Sequence, residues 1–267
     1  MMKDILAALP MHVSPYEFQI SGHKTGSFCK KTQTYQYGMI KDCNSGYLLK
    51  QTSGVASPEV EFYQNNMPEL YEISEFVPKY YGLIEHNIPL PGVFLKLEDL
   101  VESFRKPCIA DIKLGRYSSC LQCNDGKREI RTYNGLVRIA GLGLSTDSGF
   151  NRIKTCKRED DLTIVHQLLL KFLSILDDDN RIAVINAFVA KLNELEDILS
   201  KHTTFSLFST SILLIYESSS IVPVKPVTVK LIDFQNICSH GSGNVEKKSL
   251  FIFSQEIDDD FSSPRFS

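Results

Sequence analysis

Three short stretches of this sequence place charged side chains where phosphate chemistry could use them. In Pro107-Cys-Ile-Ala-Asp111-Ile-Lys113-Leu-Gly115 an acid and a base stand two residues apart. On a strand that spacing puts both on one face, and a glycine just after them lets the backbone turn closely around a ligand. Lys50 closes the apolar run Tyr47-Leu-Leu-Lys50, and Glu59 opens the segment that follows. A lysine so placed can grip phosphate oxygens while a helix glutamate orients it. In Leu231-Ile-Asp-Phe234 a carboxylate, Asp233, ends an apolar run, and carboxylate oxygens are what a hard cation such as magnesium takes. Taken singly, each has an ordinary alternative: a surface ion pair, a decorated surface, a turn aspartate.

Positioning these groups requires strands and helices in a definite order. Residues 16–52 alternate in short β-like runs broken by glycine, beginning with Tyr16-Glu-Phe-Gln-Ile20, and read as an antiparallel meander. Ser57-Pro58-Glu59 is a helix start with Ser57 as cap and Pro58 at the first helical position, the helix running toward Pro68. Strands are expected at 93–97, 108–112, 136–140, 212–216 and 227–232. Residues 160–176 and 181–199 carry helical periodicity, the second through Ile182, Ile185, Val189, Leu192, Leu195 and Leu199. The fold expected is α+β: a β-rich N-terminal lobe over 1–100, an α+β C-terminal lobe over 101–267, and a crossing near residues 98–105.

The chain of 267 residues has a net charge of −3, yet residues 105–158 alone carry +8 and the remainder −11. A mildly acidic protein with a basic middle third points to a local anion site rather than to nucleic-acid coating. Stacking residues between those charges are few (Tyr117, Tyr133, Phe150), which ranks nucleic-acid binding last. No apolar run is long enough for a membrane span, and the start is too short and too acidic for a secretion signal. Seven cysteines form no framework spacing, and Cys120-Leu-Gln-Cys123 lacks a second pair for zinc. Reduced thiols in a cytoplasmic or nuclear monomer is the expectation.

Pro107-x-x-x-Asp111-x-Lys113-x-Gly115 resembles the PxxxDxKxG signature of the inositol polyphosphate kinases, the family of the multikinases, the hexakisphosphate kinases and the trisphosphate 3-kinases. Its setting is similar too: Lys79-Tyr-Tyr-Gly82, Leu95-Lys-Leu-Glu-Asp-Leu100, Glu59-x-Glu61-Phe62-Tyr63, Gly135-Leu-Val-Arg-Ile-Ala-Gly141, Ser209-Thr-Ser-Ile-Leu-Leu and Leu231-Ile-Asp-Phe234 follow in order over residues 17–236. The resemblance implies a two-lobed protein-kinase-like (ATP-grasp-like) architecture with an antiparallel N-lobe sheet and a larger C-lobe. It implies ATP and Mg as cofactors. Lys50 would contact ATP phosphates with Glu59 as its partner, and Glu98 and Leu100 would form the hinge that offers backbone groups to adenine. Asp111 would bind the ribose hydroxyls, Lys113 would face the inositol phosphate and the transferred phosphoryl, and Asp233 would hold magnesium. Ser211 would lie on a supporting strand, and His23 would match a Gly-His element, with Lys24 and Ser27 near phosphates.

Three features depart from the family pattern. Only 25 residues separate Gly115 from Gly141, short for the family's inositol-binding helices; Lys127, Arg128 and Arg131 in that insert are either substrate-phosphate ligands or solvated loop charges. Gln235-Asn236 follows Asp-Phe where the family commonly has Ala-His, and Ser242-Gly-Asn replaces the expected Asp-Gly-Tyr. The compact basic pocket favours a hexakisphosphate kinase forming a diphosphoinositol product. The alternatives are a multikinase acting on trisphosphate or tetrakisphosphate, and an inactive inositol phosphate-binding module.

Overall fold

Apolar residues at alternate positions, separated by Gly and Asn turns, build the first of two antiparallel five-stranded sheets. In the computed structural model the described residues are 9–22, 25–29, 34–67, 70–86, 92–115, 137–153, 162–201, 206–208, 210–219 and 227–238. The first strands are β1 (Val13–Pro15), β2 (Ser27–Cys29), β3 (Thr34–Gln36), β4 (Met39–Asp42), β5 (Leu48–Thr52), β6 (Tyr80–His86) and β7 (Gly92–Leu97). They form a sheet of order β1-β4-β5-β7-β6, with β2 and β3 a separate hairpin. Between β5 and β6 lies the short helix α1 (Pro58–Glu61), whose cap Ser57 accepts from the Val60 N–H and whose first position holds Pro58. The helix does not run on as α toward Pro68; it continues as a π-turn over Phe62–Asn66.

The chain then passes through residues 98–106 to the second sheet. Glu217, almost fully buried, accepts from the backbone N–H of Arg105 (2.7 Å) and Lys106 (3.0 Å) and so anchors the end of this crossing. The second sheet has the order β10-β9-β8-β12-β13, from β8 (Pro107–Leu114), β9 (Val137–Thr146), β10 (Gly149–Ile153), β12 (Ser211–Glu217) and β13 (Val227–Ile232). Two short strands, β11 (Ser206–Leu207) and β14 (Ile237–Cys238), pair beside it.

β8 and β12 are buried along nearly their whole length and read as near-continuous apolar runs, one face under helices and the other partly under residues 16–20. One face, carrying Cys108, Ala110, Ile112, Ile212, Leu214 and Tyr216, packs on the core shared with α2 (Leu162–Leu173) and α3 (Asp178–Lys201). On α3 the buried stripe runs through Val184, Ile185, Phe188, Leu192, Leu195 and Leu199. Ile182, expected in that stripe, is exposed, and Val184 takes its place, while Val189 is partly buried against the same core. The opposite face of the sheet, with Ile109, Leu213 and Ile215, looks into the space between the lobes.

Residues 16–20, expected as a strand, join no sheet. Their aromatic and aliphatic side chains instead cross to the second lobe, where Phe18 meets Phe150 edge to face at 4.9 Å and Ile20 lies over β9. Room for that crossing comes from two glycines two apart on β9. A Cβ on Gly141 would stand 2.6 Å from the Ile20 carbonyl oxygen, and one on Gly143 would stand 2.1 Å from the Phe150 ring. Gly141 has no unusual φ, so its role is space alone. Gly141→Ala is therefore expected to destabilise the fold by about 1–3 kcal/mol, read as a lower urea midpoint with an unchanged slope; an unchanged midpoint would show that the crossing segment yields freely.

Candidate active site

β8 and β12 align their cleft-facing residues in register, Lys113 opposite Ser211 and Asp111 opposite Leu213. On the other side β9 carries an irregularity between the partners of Asp111 and Ile112, a bulge of the kind that re-aims side chains. Gly115 takes a φ of +87°, a left-handed turn that glycine adopts without strain, and its carbonyl accepts from Arg138 Nη1 at 3.3 Å. The signature segment thus ends in a glycine turn, with Asp111 and Lys113 on one face as period-two geometry requires.

Lys113, Lys50 and Asp233 come from β8, β5 and the end of β13 and meet at one point. Lys50 Nζ donates to Asp233 Oδ1 and to Glu59 Oε1, each at 2.7 Å. Lys113 Nζ donates to Asp233 Oδ2 and to Ser211 Oγ, each at 2.9 Å. Asp233 is the one non-glycine residue with positive φ (+65°) among the described residues, a conformation that marks functional turns. Burial alone would raise its pKa, but the two ammonium groups outweigh that and hold its carboxyl well below the usual carboxylate range. Burial likewise opposes the charge on Lys50, and Asp233 with Glu59 overturns it, raising the lysine. Lys113 is raised in the same way, by Asp233 and then Asp111.

What fixes Asp233 is the residue after it. Phe234 is fully buried and stacks on Phe62 at 3.8 Å and 18°, and its backbone N–H points to Glu59 Oε1 at 3.4 Å. The sequence Asp-Phe after an apolar strand therefore does two things: the ring locks the turn, and the turn presents the carboxylate.

These groups open into a cavity of ≈ 1170 Å³ between the lobes, lined among others by Lys50, Glu59, Glu98, Leu100, Lys113 and Asp233. At the crossing, the Glu98 N–H is committed to the Lys79 carbonyl (2.9 Å) and its carboxylate accepts from the Lys79 N–H (3.1 Å). Asp99 faces away from that pair, accepting from Tyr16 Oη (2.7 Å) and Lys41 Nζ (2.5 Å). Burial, then Asp99, pushes the Tyr16 phenol well up, so it remains a donor.

Asp111 differs from its neighbours. It is fully buried and does not line the cavity; Ser21 Oγ donates to its Oδ2. Burial raises its pKa, with Asp233 adding to the rise and Lys113, Ser21 and Ser211 opposing it. Lys127, Arg128 and Arg131, as well as His23, Lys24, Cys120 and Cys123, lie outside the described residues. The sequence alone gave Gln19, Ser21, Tyr63, Ile232, Gln235 and Asn236 no role in the site, yet all of them line the cavity. For Ser21, the only available signal was its glycine neighbour.

Among the described residues no three His, Cys, Asp or Glu side chains gather as a metal cluster. No helix of the described residues is long and apolar enough to cross a membrane. Asp233, whose side chain is a third exposed and lines the cavity, fits a magnesium site of the usual kind, in which one or two carboxylates share the ion with substrate phosphates.

Comparisons with known proteins bear on the family and the fold. Residues 94–259 match the family model described as inositol polyphosphate kinase. The human inositol polyphosphate multikinase is 25% identical over 234 residues, covering 82% of this chain and 54% of that protein. The mouse multikinase is 26% identical over 238 residues, covering 82% of this chain and 56% of that protein. The chain thus spans about half the length of the curated relatives it matches. Among solved structures, the inositol phosphate multikinase Ipk2 of S. cerevisiae, in complex with ADP and Mn2+, superposes with a TM-score of 0.66 at 19% identity over 80% of this chain and 98% of that one. That likeness shows a two-lobed kinase-like fold. With the model match covering more than half of its length, the chain belongs to the inositol polyphosphate kinase family.

Proposed function

We propose that this protein is an ATP- and magnesium-dependent kinase of a soluble inositol polyphosphate, of the multikinase type acting on lower phosphates such as trisphosphate and tetrakisphosphate. One observation carries the kinase reading: two lysines from different lobes converge on Asp233 within 2.9 Å at the end of a cavity walled by the interlobe crossing. The lower-phosphate reading is supported by the relatives, which are multikinases. The preference for hexakisphosphate expected from the compact basic insert has no such support.

Phosphoryl transfer asks little covalent chemistry of a protein and much positioning and charge neutralisation. Lys50 would neutralise nucleotide phosphate oxygens, with Glu59, 2.7 Å away, keeping its ammonium aimed. Lys113 faces the same point from the other lobe and would bind the moving phosphoryl group. Asp233 would hold magnesium, which would supply positive charge to neutralise phosphate oxygens. With the Glu98 N–H occupied, the carbonyl of Glu98 is left to accept from a nucleobase while Leu100 lines the same wall. The free thiols Cys43 and Cys108 suit the cytoplasm or nucleus as the compartment.

Purified protein incubated with labelled ATP, magnesium and a panel from inositol trisphosphate to hexakisphosphate tests the reading. Labelled product from trisphosphate or tetrakisphosphate is expected. Product from hexakisphosphate alone would replace the multikinase reading, and no product from any acceptor would sink the enzyme.

A further inference from the structure

Residues 16–22 leave the first sheet, lie along the cavity, and dock on the second lobe through Phe18 and Ile20. One polar side chain of this segment reaches the catalytic floor: Ser21 Oγ donates to Asp111 Oδ2. Ser21 is itself held from the other side, because Gln19 Nε2 donates to its carbonyl at 2.9 Å while Gln19 Oε1 accepts from the Met39 N–H at 3.2 Å. Gly22, with φ +77°, supplies the left-handed turn immediately after it.

The second oxygen of Asp111 is different. Oδ1 is buried and has no hydrogen-bond partner among the described residues. A buried carboxylate oxygen without a donor is costly, and in native proteins it asks for an explanation such as a group supplied from outside. Ser21 and Gly22 line the cavity next to it, so a donor arriving with a ligand would come from that side.

We propose that Ser21 is a positioning residue for the nucleotide. By gripping Oδ2 it fixes the plane of the Asp111 carboxylate, whose terminal torsion is otherwise broad, and keeps Oδ1 as the acceptor for a sugar hydroxyl of bound ATP. The inference rests on the kinase reading above and adds to it a residue of the crossing segment.

The test compares Ser21→Ala and Ser21→Thr with the wild type, Asp111 intact, using ATP and dideoxy-ATP, whose sugar lacks both hydroxyls. Ser21→Ala is expected to raise KM for ATP about tenfold with kcat within about twofold. KM for dideoxy-ATP stays unchanged, and Ser21→Thr restores wild-type behaviour. A merely structural role would weaken both nucleotides in parallel; that result, an unchanged KM for ATP, or tighter ATP binding by the alanine variant would each overturn the proposal. If Ser21→Ala does not fold, Ser21→Cys, a weak donor of similar size, gives the same comparison. A wild type that turned over no ATP would overturn the kinase reading and this inference with it, whereas an active wild type with an indifferent variant overturns this inference alone.

Discussion

Asp233→Asn is expected to lower kcat about a thousandfold or more, since charge stabilisation aimed at a transferring phosphoryl group is worth several kcal/mol. The substitution keeps size and shape. It removes the negative charge that two ammonium groups hold ionised, and it sets an amide N–H₂ donor against one of two donors, Lys50 or Lys113, each now within 2.9 Å. Lys50 retains Glu59 at 2.7 Å, so the fold survives with a cost of about 1–3 kcal/mol for the lost contact. Steady-state kcat alongside a thermal melt separates the two effects. An asparagine variant that is folded and turns over within tenfold of wild type would remove Asp233 from the chemistry.

Lys113→Met is the second large effect. Methionine fills the same flexible volume, so the loss is of charge. Turnover is expected to fall about 100- to 1000-fold if Lys113 meets the transferred group and Lys50 the nucleotide, as proposed. Ser211 and Asp233 each lose a partner at 2.9 Å, and Asp111 and Asp233 are left without the ammonium between them. Since Lys113 is partly exposed, the stability cost is modest, about 1 kcal/mol. The check is kcat at saturating ATP together with ATP affinity by calorimetry. Weakened ATP affinity with unchanged kcat would assign Lys113 to the nucleotide instead of the transferred group.

Much of this site could be read from local spacing. Asp111 and Lys113 share a face because strands have period two, and the structure keeps that face toward the cleft. Ser57 caps α1 because a hydroxyl before Pro-Glu satisfies an orphan N–H. Asp233 ends its strand where the apolar run stops. The parts that stayed hidden depend on partners far away in the chain. Alternating Tyr16, Phe18 and Ile20 carry the same period as a strand; what makes them a crossing segment is that their neighbours are Phe150 and the bare surface of Gly141 and Gly143 on another lobe. On α3 the stripe from Ile185 to Leu199 is legible, and only its first position moves, from Ile182 to Val184. Lys50 and Asp233 are 183 residues apart, and no local rule pairs them. Ser21 could not be singled out because a hydroxyl beside glycine is a common turn, and its meaning comes from Asp111 below it.

The stacked rings of Phe62 and Phe234 have a mechanical consequence. One ring belongs to the segment that carries Glu59, the other to the turn that carries Asp233, so one apolar stack fixes the two carboxylates that Lys50 bridges relative to each other. The spacing of the charged cluster is thereby clamped by a contact that salt does not screen, unlike the ion pairs it supports.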